Sequence, residues 1–337
     1  MLEAEERHQY VERQSGYVRD EQLFWDGAIR FLYSSVREQA PSLFTALTSR
    51  RMSSLLGFLN YDSFVTRRLV GGRRFVTSCG IEMGECVDGG AGLDTLAKIF
   101  ERQIRYWECR PMPDDSSIVV SPADARVVCG SLSRASLLRI KGKFFDLDEL
   151  LGKGRNHRQR FAEGDWAVFR LTPEKYHYNH APVAGVVADF YELSGANHSC
   201  NPSAMVEVVT PLSKNQRCVT VIDTDVPHGS RVGLVAMIEV GALMIGGIVQ
   251  CYSDERYERP RPVEPGLFLR RGAPKSRYRP GGSTDVLLFE KGRIRFREDL
   301  VRNQQRTDVA SRFSTGFGYP LAETDVCVRS AVAERMR

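Results

Sequence analysis

The sequence has no apolar run long enough to cross a membrane. No stretch reaches the roughly 20 consecutive apolar residues that a spanning helix needs, which favours a soluble or peripheral protein. The first 22 residues are polar and rich in acidic side chains. They therefore resemble neither a secretory signal nor an acid-poor transit peptide, and we expect a mature chain in a cytosolic compartment.

Paired cysteines at metal-binding spacing are also missing. The eight cysteines include no C-x-x-C pair, the spacing that zinc sites and thioredoxin-like sites use. We interpret most of them as small buried hydrophobic residues. A G-x-S-x-G elbow is absent as well, which disfavours a serine hydrolase of the α/β type.

The composition is that of an ordinary globular enzyme, with 337 residues, 42% hydrophobic and 26% charged. Helical spacing of apolar residues at 23–36, 43–59 and 93–107 predicts a helical N-terminal region. From residue 116 the pattern changes to short β-type runs, among them ARVVCG, MVEVVTPL and DVLLFEKG. We predict an α+β chain with a helical region at 1–115 and a mostly antiparallel β-rich catalytic domain at 116–337, of sandwich or partly closed barrel type.

Positive charge is mild overall but locally concentrated. The net charge is +5, and Arg67, Arg68, Arg73 and Arg74 stand around two glycines. Such a cluster is either a solvated face or a contact for an anionic surface such as phospholipid head groups. The helices at 23–36 and 43–59 could face a core or lie in a lipid interface. Nothing in the sequence indicates nucleic-acid binding.

A few residues could carry chemistry. His177 and His180 stand three apart, and imidazoles titrate near neutrality, although such a pair is often structural. A metal site would need further ligands, and only His198 is close in sequence, so we expect none. Asp124 and Ser283 each fit an ordinary turn. Together, Asp124, His180 and Ser283 would supply an orienting carboxylate, a base and a nucleophile, but sequence alone does not show that they meet.

Five blocks resemble the phosphatidylserine decarboxylase family in order and in spacing. They are SPADARVV (121–128), IKGKFFDLDELLG (140–152), FRLTPEKYHYNHAPVAG (169–185), VGLVAMIEVGALMIGGI (232–248) and PGGSTDVLLFEKG (280–292).

The resemblance implies a proenzyme that cuts itself at Gly282–Ser283, leaving a β chain of 1–282 and an α chain of 283–337. Ser283 would then become the pyruvoyl cofactor, with which the substrate amine forms a Schiff base. In this scheme His180, oriented by Asp124, removes the proton of the Ser283 hydroxyl. A glycine at 282 would let the backbone enter a strained turn there.

Further roles implied by the resemblance concern turnover. His177 is the candidate proton donor after carbon dioxide leaves, and Asn201 and Pro202 either shape the substrate pocket or form an ordinary β-turn. The expected reaction converts phosphatidylserine to phosphatidylethanolamine at a membrane surface, on the cytoplasmic face. The sequence leaves open whether the protein forms a homo-oligomer.

The chain departs from the usual family pattern at Ala125, Ala184, Pro274 and Ser276, where glycine, aspartate, glutamate and glycine are common. Ala125 is tolerable unless its backbone needs a positive φ. Pro274 and Ser276 change the segment that precedes the Gly282–Ser283 bond, and they leave the identity of the substrate undecided. The alternatives are the same chemistry on a soluble amino acid, an unprocessed binding module, or a serine hydrolase using the same three residues.

Overall fold

The computed structural model describes residues 7–23, 25–49, 76–77, 79–132, 144–243 and 247–336. Sixteen strands occur in this part of the chain, in three sheets. They are β1 (Gln9–Glu12), β2 (Val18–Asp20), β3 (Ile118–Val120), β4 (Ala125–Ser131), β5 (Asp165–Leu171), β6 (Tyr178–His180), β7 (Gly185–Leu193), β8 (Arg217–Asp223), β9 (Leu234–Gly241), β10 (Ile248–Gln250), β11 (Phe268–Leu269), β12 (Pro274–Tyr278), β13 (Ser283–Phe289), β14 (Ile294–Phe296), β15 (Glu323–Val326) and β16 (Ala331–Arg335).

The helices in the same residues are short. They are α1 (Asp26–Phe31), α2 (Arg37–Gln39), α3 (Pro41–Leu47), α4 (Leu96–Phe100), α5 (Tyr106–Cys109), α6 (Leu147–Leu151), α7 (Arg158–Phe161), α8 (Pro202–Glu207), α9 (Pro211–Lys214), α10 (Glu298–Gln304) and α11 (Arg312–Phe317). A π-helical turn at Leu32–Val36 joins α1 to α2, and a 3₁₀ turn lies at Met83–Glu85. None of these helices has the length and apolarity that crossing a membrane requires.

The largest sheet has the order β11-β7-β8-β9-β13-β5-β4-β15-β1-β2. Strand β13 lies near its centre, antiparallel to both β5 and β9. All seven residues of β13 are buried, which fits a strand covered on both faces. One apolar cluster packs on the face of Leu287 and Phe289, and another on the face of Val286 and Leu288.

A three-stranded sheet with the order β10-β12-β6 covers the first of these faces. Tyr278 of β12 reaches Asp285 of β13, and Lys275 of β12 reaches Glu239 of β9. Because side chains alternate along a strand, Ser283 lies on the same covered face as Asp285. The fold therefore encloses Ser283 between two sheets.

The N-terminal residues contribute directly to the main sheet. Strand β1 pairs in parallel with β15, and β2 pairs with β1 at the edge. Behind them, Arg170 of β5 bonds Glu21 and Glu323 in a buried network. The division of the chain at residue 115 stays a prediction, but these first strands belong to the same sheet as β13.

The predicted α+β fold with mostly antiparallel strands is confirmed. The described strands form open sheets rather than a closed barrel. The strand predicted at MVEVVTPL is wrong, because the chain forms α8 and α9 there. Each of these helices begins with a proline at its first turn, and Asn201 caps α8. The predicted helix at 93–107 is divided into α4 and α5 by extended residues that bridge Cys86 to Ile104.

Candidate active site

Ser283 begins the central strand β13, opposite Leu171 on one side and Gly241 on the other. Its side chain is fully buried, and its Oγ has no hydrogen-bond partner. Buried hydroxyl groups nearly always find a partner, so an unpartnered one needs an explanation. A hydroxyl left free in this way is available as a nucleophile.

Two glycines precede Ser283, and a different structural constraint favours glycine at each position. Gly281 has a φ of 142°, a conformation that favours glycine. Gly282 is needed for space instead, because a Cβ placed there would lie 2.5 Å from the Cys200 Sγ. The expected strained turn is therefore at 281, and close packing constrains 282.

Cys200 lies against the bond between residues 282 and 283. Burial raises the pKa of the Cys200 thiol to about 11, although the nearby Ser283 N–H acts in the opposite direction. The thiol is consequently protonated at neutral pH and is a poor nucleophile. The sequence gives no signal for this contact, since a lone cysteine in ANHSCNP looks like any small buried residue.

Backbone hydrogen bonds hold both polar backbone groups of Gly282. The Ala242 N–H donates to the Gly282 oxygen at 3.1 Å, and the Gly282 N–H donates to the Leu243 oxygen at 3.3 Å. An N–H pointed at a carbonyl oxygen stabilises negative charge that develops on it. This contact is made by backbone atoms, so no residue type in the sequence could have predicted it.

His180 is fully buried at the end of β6, with both ring nitrogens bonded. Its Nδ1 lies 2.8 Å from the Gly272 carbonyl oxygen, which can only accept, so Nδ1 carries the proton. Its Nε2, which then carries the ring's lone pair, lies 3.0 Å from the Tyr176 hydroxyl. Burial lowers the pKa of His180 to about 3, so the ring is neutral at pH 7. A neutral ring can accept a proton from a nucleophile.

Asp124 is connected to His180 by a nearby backbone hydrogen bond and by the electrostatic effect of its carboxylate. The His180 N–H donates to the oxygen of Pro122, two residues before Asp124. The carboxylate itself bonds the Arg110 guanidinium at 3.0 and 2.8 Å and the Val328 N–H at 2.7 Å. Burial alone would raise the pKa of Asp124, but Arg110 holds it below its usual value. In this structure the His180 ring is thus held by Gly272 and Tyr176.

His177 has a free nitrogen. Its ring is fully buried and stacks on Phe100 of α4, with centroids 3.5 Å apart. Nδ1 lies 2.8 Å from the Lys175 carbonyl oxygen, whereas Nε2 has no partner. Burial, with a smaller effect of Arg102, lowers the pKa of His177 to about 3. A neutral imidazole with an open Nε2 is available to a ligand.

Three further sequence positions have clear local roles. Asn201 caps α8, because its side chain accepts from the Ser203 N–H at 2.9 Å, and Pro202 follows at the first helical position. Their predicted role in a substrate pocket stays a prediction. Ala125 begins β4 and has no positive φ, so alanine in place of glycine brings no backbone strain there.

Comparison with known proteins gives the family. The family model for phosphatidylserine decarboxylase matches residues 96–315. Proteins named phosphatidylserine decarboxylase proenzyme from Chlamydia trachomatis serovar L2 and Chlamydia muridarum are each 31% identical to this chain. They align over 87% and 92% of this chain and over 90% and 96% of their own lengths.

A longer relative, phosphatidylserine decarboxylase proenzyme 3 of Schizosaccharomyces pombe, is 29% identical over 87% of this chain. This chain spans 29% of the length of that protein. The match to the family model and the two chlamydial relatives confirm the resemblance seen in the sequence. The chain belongs to the phosphatidylserine decarboxylase family.

Proposed function

We propose that this protein is a proenzyme that cuts itself between Gly282 and Ser283 and then converts phosphatidylserine to phosphatidylethanolamine and carbon dioxide. The observation that carries the proposal is the buried, unpartnered Ser283 Oγ beside a glycine carbonyl that Ala242 already holds. The proenzyme names of the relatives support processing into two chains.

Self-cleavage requires a nucleophile and a stabilised carbonyl oxygen. The Ser283 Oγ attacks the Gly282 carbonyl carbon, and negative charge develops on the oxygen to which the Ala242 N–H donates. The amide nitrogen of Ser283 gains a proton as its bond to Gly282 breaks, so the amide becomes an ester. Elimination then releases the Gly282 carboxylate, and loss of ammonia with uptake of water leaves the pyruvoyl group at 283.

His180 is the base in this proposal. Its Nε2 lies 3.0 Å from the Tyr176 hydroxyl, and the Ser283 Oγ has no partner. His180 must therefore leave Tyr176 and approach Ser283 before it can take the proton of the hydroxyl. The charge of Asp124 raises the pKa of His180 against the lowering by burial. Asp124 therefore stabilises the protonated ring through its charge, while Gly272 fixes the ring orientation through Nδ1.

In turnover, the pyruvoyl group would supply an electron sink for the bond that breaks as carbon dioxide leaves. The residues around Ser283 fit such a group, because the side chain at 283 is buried and its polar atom has no competing partner. His177 returns a proton through Nε2, the nitrogen left open in the structure. Since burial lowers the pKa of His177 to about 3, a bound substrate carboxylate would favour its protonated form.

The phospholipid substrate requires docking on a membrane surface. Three exposed apolar side chains in the N-terminal helical region, Trp25, Phe31 and Leu43, support this docking. The basic cluster predicted for the same purpose, Arg67, Arg68, Arg73 and Arg74, lies outside the described residues. We place the protein at the periphery of a membrane, on its cytoplasmic face.

Denaturing electrophoresis with intact-mass measurement tests self-processing. The purified protein should give two chains, the smaller covering 283–337 with a blocked N-terminus, and Ser283→Ala should stay whole. If the wild-type protein stays uncut and is active, the result would favour the serine-hydrolase alternative. If it stays uncut and is inactive, the result would favour the binding-module alternative. Either result would contradict the proposal.

A further inference from the structure

A buried polar cluster lies beside Ser283 on the covered face of the main sheet. Asp285 follows Ser283 by two residues, so its side chain points to the same face about 7 Å further along the strand. Glu239 of β9 stands directly opposite Asp285. Both acidic side chains are fully buried. Two acids in an apolar core require partners or an explanation.

Glu239 has its full set of partners. The Lys275 Nζ lies 2.8 Å from Glu239 Oε2, and the Gln250 Nε2 donates to the same oxygen at 2.8 Å. Asn179 donates to Oε1 at 3.3 Å, and the Ser276 hydroxyl donates to it as well. The charge of Glu239 is therefore neutralised by Lys275 and its hydrogen bonds are complete.

Asp285 is only half satisfied. Its Oδ1 accepts from the Tyr278 hydroxyl at 2.7 Å, but its Oδ2 has no partner. The Asn179 Oδ1 in the same cluster has none either. Leaving a buried acceptor unpaired is destabilising, more so when the acceptor is charged. Both open atoms are acceptors, so the group that would complete the cluster is a hydrogen-bond donor.

The surroundings also decide when Asp285 holds a proton. Burial, and then the charge of Glu239, raise the pKa of Asp285 well above its usual value, whereas Tyr278 and Lys275 act in the opposite direction. Those three residues are the titratable groups that face it from β9 and β12. A carboxyl group with a raised pKa is a better proton acceptor than an ordinary aspartate.

We propose that Asp285 binds the amino group of the substrate and takes the proton that this ammonium group must lose before it can react at residue 283. This inference rests on the proposed function, and it names the group that the site recognises first. The proton of the ammonium nitrogen moves to Asp285 Oδ2 and leaves the nitrogen lone pair free. The neutral amine then condenses with the carbonyl at 283, and its two remaining hydrogens leave with the carbonyl oxygen as water.

The test compares two small nucleophiles on the processed protein. Hydroxylamine is neutral at pH 7 and needs no base, whereas ethanolamine is protonated there and does. Ethanolamine is fixed to the 283–337 chain with borohydride, and both products are counted by intact mass. Asp285→Asn should be cut and should react normally with hydroxylamine, but should trap ethanolamine on the order of 10²–10⁴-fold more slowly.

The pH dependence and a matched control complete the test. Wild-type trapping should fall at acid pH, where Asp285 is protonated. Asp285→Asn depends on the neutral fraction of ethanolamine in solution, so its trapping should fall about tenfold for each pH unit throughout the range below the pKa of the amine. Glu290→Gln removes a buried carboxylate just beyond the other end of β13 and should trap ethanolamine like the wild type. Equal trapping and an equal pH profile in Asp285→Asn would overturn the inference. A wild type that is uncut, or that ignores hydroxylamine, would instead contradict the proposed function.

A second variant keeps the inference testable if Asp285→Asn does not fold. Tyr278→Phe removes the hydrogen bond that lowers the pKa of Asp285 and keeps the carboxylate in place. The acid decrease in ethanolamine trapping should therefore move to higher pH. A profile that stays at the wild-type position would show that Asp285 does not control the reaction.

Discussion

At the residue scale, the two histidines of the site differ in whether Nε2 has a hydrogen-bond partner, and we expect them to act at different steps. His180 has its lone pair on Nε2 toward Tyr176, whereas His177 has an open Nε2 and a ring stacked on Phe100. We expect His180→Ala to accumulate uncut precursor. His177→Ala should be cut but release carbon dioxide on the order of 10²–10⁴-fold more slowly.

Electrophoresis measures the cut fraction of these variants, and captured carbon dioxide measures turnover. His157→Ala serves as the control, because His157 is a partly exposed histidine that contacts Asp189 away from β13. Normal cutting in both His177→Ala and His180→Ala would show that the assignment of the two roles is wrong.

The contact between Gly282 and Cys200 gives a second prediction at this scale. An added Cβ at 282 would lie 2.5 Å from the Cys200 Sγ, which is closer than real Cβ atoms come. Gly282→Ala should therefore displace the backbone at the cut and slow processing by at least about tenfold, or about 1.4 kcal/mol in the barrier. The rate is measured by electrophoresis of freshly synthesised chain over time.

The paired substitution decides whether crowding is the cause. Cys200→Ala removes the sulfur, so the double variant Gly282→Ala with Cys200→Ala should recover much of the lost rate. A double variant as slow as Gly282→Ala alone would mean that glycine is needed at 282 for another reason. Cys200→Ala by itself should still be cut.

At the element scale, Asn201 caps helix α8. Its side chain caps the helix through the Ser203 N–H and also donates to Asp26 at 3.2 Å. Asn201→Ala should lower the free energy of unfolding by about 1 kcal/mol, whereas Asn201→Ser retains a capping oxygen and should lose less. Denaturant unfolding, in the uncut Ser283→Ala background, measures both.

Activity then separates the cap from a pocket role. If Asn201 acts only as a cap, the processed Asn201→Ser enzyme should keep its turnover rate. A large loss of turnover with unchanged stability in Asn201→Ser would support the pocket role predicted from the resemblance.

The elements that sequence could predict are those in which local pattern and tertiary position agree. Strands β4 and β13 are largely apolar runs buried on both faces, and the sequence predicts both. MVEVVTPL has an equally high content of β-forming residues, but Pro202, Pro211 and the Asn201 cap favour the start of a helix there. Strand β12 (Pro274–Tyr278) is charged and polar, and its Lys275 and Ser276 find a buried partner in Glu239 of β9.

The groups of the candidate site also divide into those that the sequence predicts and those that depend on tertiary position. Ser283, His180 and Asp124 follow from residue type and family resemblance. The Ala242 N–H, the Gly272 carbonyl and the Cys200 thiol come from strands and loops far away in the chain. Their roles depend on register and on backbone direction, which no single-residue signal encodes.

At the scale of the whole molecule, buried charge predicts acid sensitivity. Hydrogen bonds and charge from Arg170 outweigh burial and lower the pKa of Glu323 to about 2, against 4.5 ordinarily. The stabilisation is thus present above pH 4.5 and is lost as the pH falls toward 2. His177 and His180, with pKa values of about 3 against 6.5 ordinarily, are protonated first in the unfolded chain. They therefore remove stability as the pH falls below 6.5.

Thermal unfolding of uncut Ser283→Ala over this range is the measurement. Tm should fall from pH 6.5 downward, by roughly 2–4 °C for each kcal/mol lost. Adding Glu323→Gln should lower Tm at pH 7, because Arg170 loses a buried partner, and should make the decrease below pH 4.5 shallower. A Tm that is constant between pH 6.5 and 3 would contradict the prediction.

The proposed lipid substrate requires that the whole molecule dock on a membrane surface. Trp25, Phe31 and Leu43 are 67%, 62% and 51% exposed. Inserting each of them would supply about 1.5–3 kcal/mol if fully buried, and each nearby basic residue about 1 kcal/mol on an anionic surface. Vesicles containing phosphatidylserine should retain the processed protein at low salt and release part of it at 1 M salt, where the Debye length is about 3 Å.

Replacing all three side chains with serine should reduce retention at least about tenfold, whereas Val301→Ser, at an exposed valine on α10, should not. A processed protein that ignores vesicles and decarboxylates a free amino acid in buffer would replace the lipid substrate with a soluble one, and the polar cluster beside Ser283 would then be the first place to look for the cause.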